Sequence, residues 1–158
     1  MDHSERSALI ASYKEGYQEV YTALQQLTEE ALDRRPADGG WTPREIVHHL
    51  ADSEMTSAIR LRLLLASEHP AIAAYDEKEF ARKLHYDRPI EASLEALKAA
   101  RRTSAEILDR MSEADWAREG MHSESGRYTT GTWLEIYSVH AHNHAAQIRR
   151  ARASATSR

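Results

Sequence analysis

Cysteine is absent from this 158-residue chain. Its absence excludes disulfides, zinc held by thiolates and cysteine nucleophiles together. Glycine and proline are scarce, at six and four residues. Alternating β-branched runs between turns are missing as well, so strands are not expected. No apolar run approaches the length of a membrane span. The opening residues Met1-Asp2-His3-Ser4-Glu5-Arg6 lack the apolar stretch of a signal peptide, which points to a cytoplasmic protein with no membrane partner. Positive charge is also in deficit: 21 Lys and Arg stand against 25 Asp and Glu, a net charge of −4. A duplex-binding module carries a basic footprint, so nucleic acid is not expected as a partner. What the chain has in excess is histidine, with nine.

The few turn formers cluster. Gly39-Gly40, Pro43, Pro70, Pro89, Gly120, Gly126 and Gly131 cut the chain into four helix-sized blocks. The first runs from about Ser4 to Leu32, with Ile10, Tyr13, Tyr17, Val20, Leu24 and Leu27 on one stripe at steps of three and four. Gly16 weakens the helix locally without breaking the stripe. The second block opens with Thr42, Pro43 and Glu45, a capping box with proline at the first helical position. It reaches about Ser67, with Ile46, Leu50, Leu61 and Leu64 inward. The third runs from Pro89 or Ile90 to about Met111. The fourth starts near Thr132, with Glu135 three residues on, and reaches about Ala153. The expected architecture is all-α, a four-helix bundle spanning 1–153 with a short basic tail at 154–158. Two connections, 68–88 and 113–131, are long for a bundle, and Tyr75 to Leu84 suits an extra short helix. Leu27–Leu32 echoes Met111–Trp116, which suggests two similar helical hairpins.

The histidines separate by helix face. Trp133, Ile136, Tyr137, His140, His144 and Ile148 form one seam, which places two imidazoles among core positions. His49 shares its face with Ile46, Leu50 and Ser53 and points inward. His48 shares a face with Arg44, Glu45, Asp52 and Met55 and points outward, and His142 lies off the seam. Buried imidazoles need partners. A divalent ion meets that need, because neutral imidazole offers a lone pair. Histidines without a carboxylate favour Zn²⁺, Ni²⁺ or Fe²⁺ over Mg²⁺ or Ca²⁺. Three protein ligands also leave coordination positions open, as catalytic sites do. Core histidines bonded to Tyr, Ser or backbone groups would show the same pattern. Ligand imidazoles must be neutral, so metal affinity is expected to fall as pH drops through about 6.

Two segments resemble a known family. Trp41-Thr-Pro-Arg-Glu-Ile-Val-His48-His49-Leu-Ala-Asp52-Ser53-Glu54 and His140-Ala-His-Asn-His144-Ala-Ala-Gln147-Ile148 are similar, in content and separation, to the signatures of the DinB/YfiT-like superfamily. The resemblance covers essentially the whole chain. It implies a four-helix bundle, a metal held by His49, His140 and His144, and frequent homodimers. Ile59-Arg60 and Tyr75-Asp76-Glu77-Lys78 resemble the YfiT-type branch, which is similar to bacillithiol and related thiol S-transferases and is often labelled a metal-dependent hydrolase. Glu54 stands where that branch often has a histidine, and the residues around His140 depart from its aromatic pattern. The resemblance implies one divalent ion, and the all-histidine donor set makes zinc or nickel the first expectation and iron the next. The resemblance also implies transfer of a low-molecular-weight thiol to an electrophile. Metal-dependent hydrolysis and a non-catalytic, dimeric, metal-binding stress-response protein are the alternatives. Arg60, Tyr75 and Asp76 are candidate substrate contacts, because the loop carrying the last two can fold over the site. Gln147, three residues after His144, is a fourth. Asp52, near His49, is the candidate acceptor that orients an imidazole.

Overall fold

The computed structural model describes the backbone of residues 1–156 and side chains through Ala151, so the last two residues of the expected 154–158 tail lie outside the described residues. Four long helices carry the fold: α1 (His3–Leu24), α3 (Pro43–Ala66), α5 (Glu91–Leu108) and α7 (Thr130–Thr156). Short helices α2 (Glu29–Leu32), α4 (Glu77–Lys83) and α6 (Glu113–Trp116) fill the connections. Helix α1 packs chiefly against α7, and α3 against α5, while α7 also touches α3. Helices α1 and α3, joined in sequence, are therefore not the main neighbours in the bundle.

The chain signals explain most boundaries. Thr42 and Glu45 form the expected capping box, with Pro43 opening α3. Thr28 and Ser112 cap α2 and α6, each receiving a backbone amide three residues on. The echo between Leu27–Leu32 and Met111–Trp116 is thus a repeated short helix after α1 and after α5. The first block does not run unbroken to Leu32: α1 ends at Leu24 and Gln26 adopts φ 67° before Thr28 restarts a helix. Helix α7 begins at Thr130 rather than near Thr132. The Thr130 hydroxyl donates to the carbonyls of Asp115 and Trp116, and its amide to Arg118, so α6 pins the helix start. Thr132 then falls inside the first turn, where its amide bonds Thr129 Oγ1.

Strands do occur, against expectation. β1 (Ala71–Ile72), β2 (Glu119–His122) and β3 (Gly126–Thr129) form one small sheet in that order. β1 pairs parallel with β2, Ala71 opposite Met121, and β2 pairs antiparallel with β3, Gly120 opposite Tyr128. The pairing ties the two long loops together, and it is a contact between distant segments with no periodic signature. A Cβ on Gly120 would stand 2.5 Å from the Pro70 carbonyl oxygen, so only glycine allows this approach.

Two large apolar clusters lie along the bundle, and a smaller one is formed by Leu32, Val47 and Ile90. One large cluster contains Tyr13, Leu61, Leu64, Leu108, Trp133 and Tyr137; the other contains Val20, Ile46, Leu50, Leu97, Ala141 and Ile148. Between them along the helices lie Glu54 and Arg101, both nearly fully buried. Arg101 donates to Glu54 Oε2 at 2.5 Å and to the carbonyls of Tyr13 and Tyr137. Tyr13 donates its hydroxyl to Glu54 Oε1. Gly16 makes room for this network, because a Cβ there would stand 2.6 Å from Arg101 Nη2 and 2.8 Å from Ala141 Cβ. Gly16→Ala should therefore destabilise the protein by about 1–3 kcal/mol of overpacking, despite a helix-propensity gain of about 1 kcal/mol. The urea midpoint measures it; a rise would show that the neighbours yield freely.

Candidate metal centre

His49 sits in the second turn of α3, and His140 and His144 lie one turn apart on α7. Ligand-capable nitrogens of the three lie within 4.8 Å of one another, and among the described residues no carboxylate joins the group. His49 Nε2 and His140 Nε2 are 3.3 Å apart. Nitrogens each about 2.0–2.1 Å from a tetrahedral zinc stand about 3.3–3.4 Å apart, so this pair already has ligand spacing. Gln147 Oε1 accepts a hydrogen bond from His144 Nδ1 at 2.9 Å. The Nδ1 proton this requires leaves the lone pair on Nε2. His49 Nδ1 is buried without a partner, and Trp41 packs edge-on against the same ring at 4.6 Å. An imidazole with one nitrogen orphaned and the other against a second imidazole is unfinished without a ligand. The trio fits a divalent ion.

Electrostatics agree. Burial, then the neighbouring His144, pushes His49 down to about 3. Burial, followed by His144, His49 and Arg101, takes His140 down to about 3. Burial also lowers His144, against its bond to Gln147. All three are neutral lone-pair donors at neutral pH. In the folded protein, proton competition for the ion therefore sets in below the ordinary imidazole range, not at the pH of about 6 expected from unperturbed histidine. The sign for stability follows. Unfolded histidines titrate near 6.5, so between about 3 and 6.5 the unfolded chain holds more protons and stability falls as pH falls. Chelated protein should lose melting temperature steadily from pH 6.5 downward; a flat profile to pH 4 would contradict these lowered values.

His140 and His144 are only partly buried, at the edge of the core. The inner face of α7 runs through Trp133, Leu134, Tyr137, Ala141, Ala145 and Ile148, while Ile136, expected inward, is 43% exposed. One member of the trio, His144, lines a cleft of about 570 Å³ whose walls also include Trp41, Asp38, Glu77 and Gln147. The loop before α3 and the start of α4 thus frame the site.

The other sequence candidates separate clearly. Gln147 holds His144 and lines the cleft. Arg60 donates to the Tyr137 hydroxyl at 3.2 Å and to the Ala73 carbonyl at 2.6 Å. Tyr75 packs on Phe80, its hydroxyl is buried without a partner, and burial pushes its pKa up to about 12. Asp76 is the N-cap of α4, its Oδ1 accepting the amides of Lys78 and Glu79. Asp52 receives the Tyr86 hydroxyl at 2.6 Å and bonds no imidazole of the trio; Gln147 takes the orienting role instead. His48 corrects the expectation of an outward ring. It is fully buried, bonding Ser93 Oγ at 2.7 Å and the Arg88 carbonyl at 3.0 Å. Helix α5 and the turn before it cover the face that a two-helix reading leaves to solvent. The wall residues Trp41 and Asp38 and the buried Tyr128 were not singled out from sequence. Trp41 alone had a signal, standing just before the α3 cap.

A helical bundle with three histidines from two helices meeting at the edge of its core, spaced to hold a divalent ion, defines the class of protein this is. The chain belongs to the DinB superfamily, whose family model matches residues 12–148. It is 42% identical over 122 residues, 77% of this chain and 71% of the other, to a protein of Oceanobacillus iheyensis named "Putative metal-dependent hydrolase OB0782". A Bacillus mycoides protein with the same description is 32% identical over 130 residues, covering 82% of this chain and 75% of that one. The fold matches YfiT from Bacillus subtilis, described as "a probable metal-dependent hydrolase with an unusual four-helix bundle topology", with TM-score 0.92. That match has 30% identity and covers 99% of this chain and 90% of YfiT. No helix among the described residues is long and apolar enough to cross a membrane.

Proposed function

We propose that the protein is a divalent-metal-dependent enzyme that transfers a low-molecular-weight thiol to an electrophile. The observation that carries this reading is the histidine trio, one member of which, His144, lines a cleft. Three neutral imidazoles with no fourth protein ligand among the described residues, beside a cleft of about 570 Å³, suit exchangeable ligands rather than a closed structural site. His49, His140 and His144 would hold the ion, zinc or nickel before iron. A bound divalent ion supplies Lewis acidity, which lowers the pKa of a thiol or of water. The chain's own residues do the rest. Gln147 holds the His144 tautomer, Trp41 packs against His49 and shields it, and Glu77 and Asp38 line the entrance. Arg60 and Tyr75 are the substrate contacts in this proposal; Asp76 contributes through the α4 cap.

Hydrolysis at the same centre is the second reading, supported by the descriptions of the relatives. The cleft weighs against a non-catalytic scaffold. The proposal takes a small-molecule thiol and an electrophile as partners and a cytoplasmic homodimer as the working form, with no role for nucleic acid or membrane. Chelated and zinc- or nickel-restored protein should be given a panel of small thiols with an alkylating electrophile, and separately esters and amides. Metal-dependent loss of thiol supports S-transfer; metal-dependent ester or amide cleavage without thiol loss would replace it with hydrolysis. No turnover in either assay would favour the scaffold.

A further inference from the structure

Next to the histidine trio lies a second polar site that the bundle leaves unfinished. Tyr137 is one turn before His140, and their ring centres are 5.9 Å apart. Arg60 spends two of its nitrogens on Tyr137 and Ala73, whereas its Nε–H is buried without a partner. The hydroxyls of Tyr75 and Tyr128 are also buried without partners. The Arg60 guanidinium lies 5.8 Å from the Tyr75 ring centre, and Tyr128, only 3% exposed, lies close to Arg60 and Tyr137, its hydroxyl in hydrogen-bond geometry with neither. Helix α3, the segment after β1, strand β3 and helix α7 thus bring three unpaired donors to one place.

Buried donors are normally satisfied, and three orphans together mark a missing acceptor. The charge says which kind. Arg44 and Arg101 are paired with carboxylates. The partners of Arg60 are a phenol and a carbonyl, both neutral. One uncompensated cation with two hydroxyl donors is an anion receptor. With each Nη already holding one partner, the wholly unpaired atoms are Arg60 Nε and the two hydroxyls, a set that suits the two oxygens of a carboxylate.

We propose that Arg60 Nε, Tyr75 Oη and Tyr128 Oη bind a carboxylate on the electrophilic substrate and direct its reacting carbon toward the histidine trio. This deepens the S-transfer reading and rests on it for the identity of the bound molecule. Tyr128, on the small sheet, then becomes a substrate-binding residue, and the sheet acquires a role in placing it.

The test is binding of succinate and of its uncharged diamide to zinc-loaded protein by calorimetry, with zinc affinity measured in parallel. Succinate should bind at least about tenfold tighter than the diamide, as charge-assisted bonds require. Arg60→Gln should weaken succinate by about tenfold or more, and Tyr128→Phe by about fivefold. Both should leave the diamide and zinc affinities within about twofold. Tyr128→Phe keeps the ring in the core, so folding is retained. Equal affinity for succinate and diamide, or succinate binding indifferent to both substitutions, overturns the proposal. If succinate binds through Arg60 and Tyr128 but no thiol is consumed, the receptor stands and S-transfer falls. If thiol transfer is as fast to electrophiles without a carboxylate, S-transfer stands and the receptor falls.

Discussion

His140→Ala should weaken zinc binding by well over 100-fold, and His49→Ala should do the same. The bound is set by supporting residues: loss of a group that merely orients a ligand costs about 10–100-fold, and these two nitrogens are themselves at ligand spacing, 3.3 Å apart. Gln147→Ala should fall in that lower range, because it frees the His144 ring without removing it. His48→Ala provides the contrast. Its ring is fully buried but faces Ser93 and Arg88, away from the trio. Zinc affinity should stay within about threefold while stability drops by about 1–3 kcal/mol, the cost of leaving buried partners unpaired. Zinc titration and urea unfolding of the same four variants separate the two effects. Equal losses of zinc at positions 48 and 49 would refute the assignment of faces.

The second large effect concerns stability alone. Arg101→Ala should cost about 3–5 kcal/mol, because it strands the Glu54 carboxylate in the interior. Glu54 is 1% exposed and Arg101 3%, so water does not replace the lost partner. In a domain with about 5–15 kcal/mol in all, and with about 2–4 °C lost per kcal/mol at this size, the melting temperature should drop by roughly 10 °C. The double substitution Glu54→Met with Arg101→Met should recover most of it, since well-packed apolar replacements of a buried pair are often neutral or stabilising. Thermal unfolding of the single and double variants decides this. A double variant as unstable as Arg101→Ala would show that the bonds from Arg101 to the Tyr13 and Tyr137 carbonyls, not the ion pair, carry the effect.

Glu54 also shows how a departure from the family pattern is absorbed. In sequence it stands where the YfiT-type branch often has histidine. In the structure it turns to α1 and α5, where Tyr13 and Arg101 take both of its oxygens. Glu54 stands apart from the histidine trio, and the position serves the core instead.

Local chemistry was enough for the four long helices, the Thr42 capping box, the short helix after Tyr75 and the choice of the three histidines that the fold brings together. Each rests on interactions within a few residues or on one helix face, and periodicity reports such faces directly. The burial of His48, the Asp52–Tyr86 bond, the small sheet, the early start of α7 and the cluster of Arg60, Tyr75 and Tyr128 were decided by tertiary structure alone. All of them join segments far apart in the chain, and their energy comes from partners that no single helix face contains. A periodic pattern tells which side of a helix is apolar; it cannot tell that α5 covers the neighbouring side as well, or that two loops will pair as strands. The sequence by itself therefore determined which atoms can hold the ion, and the packing of distant segments determined what surrounds it.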